Sequence, residues 1–201
     1  MRHFPMPTLK FLGTFVTCAA VALCNVYITK SLAQSARQGQ PPADTAVDSS
    51  NASPIYGVTI PAGYRDWKLI AVNQLLLAGK GEQLRAQLGN DVAIKAFKEG
   101  TVPFPDGSII AAIHWTRVSS EDNDKVLNGP FPGTQSFVIG SPVNVQFMVK
   151  DSKKYAATGG WGFADFKGGK PGDKALHETC FGCHQPAKGH DFVFARYAPA
   201  P

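Results

Sequence analysis

Sulfur is scarce in this chain: four cysteines and three methionines in 201 residues. Beyond the first thirty-three positions only Cys180, Cys183 and Met148 remain. Two cysteines cannot build a disulfide scaffold, nor supply the paired cysteine motifs of a common structural zinc site. An internal repeat is lacking as well, which excludes solenoids and propellers. Sustained helical periodicity is also missing. Twenty glycines and fifteen prolines interrupt helix interiors and exclude a protein made mainly of long helices. What is present is an ordinary globular balance, 44% hydrophobic, in a chain long enough for one domain with a sizeable core.

The amino terminus is set apart. Arg2 and Lys10 precede the apolar run 11–28, and Ser31 and Ala33 form a small-x-small exit. That pattern predicts a secretory signal over 1–33, cut after Ala33. An uncleaved membrane anchor is the alternative, since the run nearly reaches spanning length. Export places the protein in the periplasm. Removing 1–33 takes three basic residues and no acidic ones, leaving 17 basic against 15 acidic. The formal charge falls from +5 to +2. The basic balance therefore belongs to targeting and carries no signal for nucleic acid.

Residues 34–54, QSARQGQPPADTAVDSSNASP, are polar and nearly free of large apolar groups. They read as a flexible tether. The folded domain is expected over 55–201. Within it, 82–100 reads as two short helices, the first ended by Gly89, the second capped by Asn90 or Asp91 and closed by Gly100. Residues 108–118 alternate as a strand, with Ile110, Ala112, His114 and Thr116 on one face. Further strands are expected over 143–150, 161–166 and 191–197, with turns at 128–133, 140–142 and 168–174. A short helix carries the cysteines. The fold class is α+β, mainly antiparallel sheet with a few short helices and a C-terminal cofactor-binding segment.

That last expectation comes from ETCFGCHQP, residues 178–186. A disulfide between Cys180 and Cys183 would close a loop too small to stabilise much. A redox dithiol calls for a βαβ setting that the strand order does not supply. A zinc clasp would need His184 and a further histidine. Covalent haem c accounts for every position: the thiols of Cys180 and Cys183 bond the vinyl groups, and His184 becomes the proximal iron ligand. One haem per chain follows. The site is close to the C-terminus, and no methionine follows His184. Met148 reads as a half-buried sheet residue rather than a ligand.

GYRDWK (63–68), NDVAIKAF (90–97), PFPDGSIIAAIHW (103–115), KDSKKYAATGGWGFADF (150–166), CFGCH and DFVFARYAP (191–199) together resemble the cytochrome P-460 family across the whole domain. The resemblance implies a mainly antiparallel β fold, a homodimer and five-coordinate haem with an open distal face. It also implies a small nitrogen ligand, because the family includes hydroxylamine-oxidising enzymes and β-sheet cytochromes c′ that bind nitric oxide. In the oxidising members a lysine six residues after the aspartate of the DG turn is cross-linked to the haem. Counted from Asp106, that position here is Ala112. Alanine has no nucleophile, so the balance moves from hydroxylamine oxidation towards ligand binding. A periplasmic electron carrier working with a redox partner protein is the third reading.

If Ala112 faces the haem, so does His114, two residues on. It is the candidate distal residue in an otherwise apolar pocket; the alternative is a core histidine bonded to a backbone carbonyl. His177 and His190 are expected to face solvent. Tyr64, Arg65 and Trp67 are expected to anchor a sheet edge, with Arg65 or Arg196 available to pair a haem propionate. KDSKK (150–154) reads as a solvated charge run where an electron partner could dock.

Overall fold

The computed structural model describes residues 51–79 and 81–198. The expected leader and most of the expected tether lie outside them. Six antiparallel strands follow one another in chain order across a single sheet: β1 (Lys68–Leu77), β2 (Gly81–Gly89), β3 (Ile109–Ser119), β4 (Phe137–Lys150), β5 (Trp161–Lys167) and β6 (Lys170–Pro171). Three helices punctuate them: α1 (Asp91–Glu99) before β3, α2 (Glu121–Leu127) before β4, and α3 (Lys174–His184) after β6. This is the α+β arrangement expected, with sheet dominant. Among the described residues no helix is long and apolar enough to cross a membrane.

The helix expected at the start of 82–100 is strand β2. Leu84 and Leu88 are spaced for a helix face, but Leu84, Ala86 and Leu88 also alternate with Gln83, Arg85 and Gln87. Pairing with β1 on one side and β3 on the other decides between the two periods. Gly79 and Gly81, both at positive φ, turn the chain back into it. The second helix is α1 as expected. Asn90 caps it by accepting from the Ala93 N–H at 3.0 Å, and Gly100 ends it at φ 65°.

Two further expectations give way. Residues 140–142 are not a turn but part of β4, where Pro142 opposes Trp115 and the register shifts on both sides of that tryptophan. A bulge accommodates a proline that a regular ladder would not. Residues 191–197 form no strand. Asp191 and Phe192 lie at φ 52° and 64°, in left-handed backbone that breaks any extended run. Their aromatic side chains pack instead. The folded part also reaches back to Ser53, whose buried hydroxyl donates to the Phe163 carbonyl at 3.1 Å.

Register assigns the faces. Opposed residues of an antiparallel pair share a side. One face therefore carries Arg85 and Gln87 of β2, Ile110, Ala112 and His114 of β3, Asn144, Gln146 and Met148 of β4, and Phe163 and Asp165 of β5. The haem motif helix α3 lies over the β5 end of this face, with Phe181 and His184 against Phe163.

Candidate haem site

Asp173 starts α3 by accepting from the Leu176 N–H at 2.8 Å. At 3.6 residues per turn, Cys180, Cys183 and His184 fall within about 100° of the helix circumference. Both thiols are free, Cys180 half-buried and Cys183 exposed. Burial first, then the Asp165 carboxylate and Cys183, push the Cys180 thiol up to about 11. A redox dithiol needs the opposite shift. Among the described residues no three His, Cys, Asp or Glu side chains gather to hold a metal ion, so a zinc clasp has no third ligand at hand. A haem asks less: two thiols and one imidazole.

His184 supplies the imidazole. Its Nδ1–H donates to the Phe192 carbonyl at 2.8 Å, and its ring packs 5.0 Å from that of Phe163 and 5.3 Å from that of Phe194. Burial lowers its pKa while the Phe192 bond raises it. With Nδ1 protonated, Nε2 carries the lone pair an iron would need. The residues thus fit haem: Cys180 and Cys183 would hold it, and His184 would supply the nitrogen ligand to its iron.

Phe192 is itself gripped. Its N–H donates to the Ala187 carbonyl at 2.9 Å, and its ring occupies a notch over Gly159, where an added Cβ would overlap it. The preceding Asp191, 7% exposed, accepts from Lys150 Nζ at 2.8 Å on each oxygen and from the Phe104 N–H at 2.8 Å. Lys150 also donates to the Gly159 carbonyl at 3.0 Å. Lys150 is 5% exposed, so the run 150–154 is solvated only from Ser152 to Lys154. Its first lysine is drawn in because β4 ends there, opposite Trp161, facing Asp191. The TGGW glycines were the signal for this arrangement.

His177 is the other correction. It is fully buried rather than solvent-facing. Nδ1–H donates to the Asp173 carbonyl at 2.7 Å, and Nε2 accepts from the Asp165 N–H at 3.2 Å. Nε2 pins α3 to β5, while Nδ1 is spent on the helix's own N-cap. His190 is exposed, as expected. Arg196 spends its Nη1 on the carbonyls of Val193, Phe194 and Ala195, while Arg65 stays exposed in a 3-10 turn. Tyr64 packs edge-on to Phe147 at 5.1 Å, and Trp67 lies against the core.

The face around Ala112 is polar, against the expected apolar pocket. Gln87 and Gln146 flank Ala112, and Arg85 and Asn144 flank His114. Asp165 accepts from Asn144 at 2.5 Å and from Gln146 at 2.8 Å. His114 is 2% exposed, and among the described residues no backbone carbonyl holds it. Its Nε2, Gln87 Oε1, Arg85 Nε and Asn144 Oδ1 are buried without a partner among the described residues. Burial, then the Arg85 guanidinium, push His114 down to about 4, with Asn144 pulling the other way, so it is neutral near pH 7. Arg85 and Gln87 escaped the sequence reading because β2 looked helical. Met148 is buried on the same face, between Ile110 and Phe163.

No curated protein matches the chain. The family model of cytochrome P460 matches residues 61–195, a span that takes in all six strands and the cysteine-bearing helix. This chain therefore belongs to the cytochrome P460 family, and its cofactor is haem.

Proposed function

We propose that the mature protein is an exported, periplasmic c-type haem protein that binds nitric oxide or a similar small nitrogen ligand on five-coordinate iron. One haem per chain is attached through Cys180 and Cys183, with His184 as proximal ligand. The observation that carries this is the His184–Phe192 bond. It commits Nδ1 and leaves Nε2 as the basic nitrogen, on the same helix as two free thiols. Haem, when bound, supplies an iron able to take up a small ligand. The chain orients the imidazole and packs Phe163 and Phe194 beside it. The face around Ala112 then offers hydrogen-bonding groups, His114, Gln87, Arg85 and Asn144, to whatever enters. Such groups favour a polar nitrogen ligand over a purely apolar gas.

The runner-up is oxidation of hydroxylamine. The buried polar atoms around His114 favour it, since proton transfer needs such groups. Ala112 counts against it. Lys150, on that face at the end of β4, is held by Asp191 and the Gly159 carbonyl. Turnover with an electron acceptor separates the two readings; a simple electron carrier would instead show a low-spin spectrum indifferent to added ligand.

A homodimer is part of the proposal. On the opposite face of the sheet Val72, Leu84, Ala86, Trp115 and Ile139 line a concavity of about 420 Å³, with Val72 and Ile139 well exposed. A second copy covering that face would bury them. A redox partner protein, if one is needed, would meet the exposed Lys153 and Lys154.

The test is ligand binding by the haem-loaded protein. Nitric oxide should shift the Soret band of both oxidised and reduced forms without any electron acceptor present. A spectrum unmoved by nitric oxide would remove the proposal.

A further inference from the structure

Lys150 and Asp191 form the most buried ion pair on the described part of the chain, 2.8 Å apart and 5% and 7% exposed. Placing two charges there is costly, and a well-packed apolar pair would stabilise the fold at least as well. Their surroundings point to a task. Asp191 begins the left-handed pair of residues whose second member, Phe192, offers its carbonyl to His184. Lys150 binds Asp191 on one side and the Gly159 carbonyl on the other. Gly159 is the floor of the notch that takes the Phe192 ring. A single ammonium thus ties together both walls that grip Phe192, and the Phe104 N–H fixes the second carboxylate oxygen.

We infer that Lys150, acting through Asp191, is a positioning residue for the proximal ligand. It fixes the Phe192 carbonyl against His184 Nδ1 and so sets how much negative character the imidazole presents at Nε2. This rests on His184 being the iron ligand. A shorter, straighter Nδ1–H to carbonyl bond makes Nε2 a stronger donor, which strengthens the iron–histidine bond and favours the oxidised metal. Loosening the carbonyl does the reverse. The pair need never touch haem or substrate for this to hold.

The experiment uses the haem-loaded protein with the double substitution Lys150→Met, Asp191→Asn. It leaves no unpaired charge. Asparagine keeps an acceptor for Phe104 and tolerates the left-handed backbone. The readouts are the iron–histidine stretching frequency of the ferrous protein and the haem reduction potential. The stretch should move to lower frequency and the potential should rise, with haem content unchanged. Lys150→Arg, which keeps the charge but not the single-point grip, should shift both in the same direction by less, and it decides the matter should the double variant not accumulate. Lys68→Met, at the exposed pair with Asp91, is the control and should shift neither. Haem-loaded variants with the wild-type stretch and potential would overturn the inference while leaving His184 as ligand. If the wild-type protein lacks an iron–histidine stretch, the reading of His184 fails first.

Discussion

His184 and Phe192 are eight residues apart and meet through one hydrogen bond, Nδ1–H to carbonyl, at 2.8 Å. Between them the chain makes a 3-10 turn over Gln185–His190 and then two left-handed residues. Three separate stretches of the chain converge on this bond. The CxxCH helix brings the imidazole, TGGW provides the notch for the Phe192 ring, and DFVF brings the carbonyl.

Thiol chemistry gives the first prediction. Intact-mass spectrometry of protein matured with the cytochrome c assembly machinery should show one added haem that survives acid and organic solvent. Cys180→Ser together with Cys183→Ser should release all of it under those conditions. A haem retained by the double variant would mean that the thiols do not carry the attachment.

The buried ion pair gives the second. Lys150→Met alone strands a carboxylate at 7% exposure, which costs about 3–5 kcal/mol. In a domain of this size that lowers Tm by roughly 10 °C. Lys68→Met removes an exposed partner of Asp91 and should leave Tm where it was. Thermal melts followed by circular dichroism compare the two; equal melting points would show that burial of Lys150 is not worth what its environment implies.

His114 gives a pH dependence with a definite sign. Its folded pKa is depressed to about 4 from 6.5. Between those values the unfolded chain binds the extra proton and the folded chain does not. Stability therefore falls as pH drops from about 6.5 towards 4, by up to about 3 kcal/mol from this group, and levels off below. Urea titrations across that window should show the slope in the wild type and a smaller one in His114→Leu. Parallel slopes would indicate that other groups dominate.

For the proposed dimer, a charge on the exposed apolar face is the direct probe. Val72→Asp should convert the dimer to a monomer in light scattering at micromolar concentration, with the haem spectrum unchanged. A dimer that survives it would place the interface elsewhere.

Much of this was legible in the sequence because local chemistry decided it. Asn90 and Gly100 bracket α1 by cap geometry alone, and the alternation in β3 put Ala112 and His114 on one side. The short helix carrying the cysteines was also expected, although its cap, Asp173, was not singled out. What escaped was decided by contacts distant in sequence. β2 has helix-compatible leucines and became a strand because β1 and β3 flank it. Lys150 looked like the start of a solvated run, and Asp191, 41 residues later, draws it inside. His177 read as a surface histidine until the Asp165 N–H of a neighbouring strand met it. The polarity around Ala112 was hidden because half of it comes from the misread β2.

The measurement closest to the central claim is the visible spectrum of the matured wild-type protein, oxidised and reduced, before and after nitric oxide. A high-spin, five-coordinate spectrum at ordinary c-type positions is expected, shifted by nitric oxide, with no cross-link at Ala112. A low-spin spectrum that ignores nitric oxide would contradict it. So would a strongly red-shifted reduced Soret band, because some residue would then be bonded to the macrocycle and the oxidase reading would return.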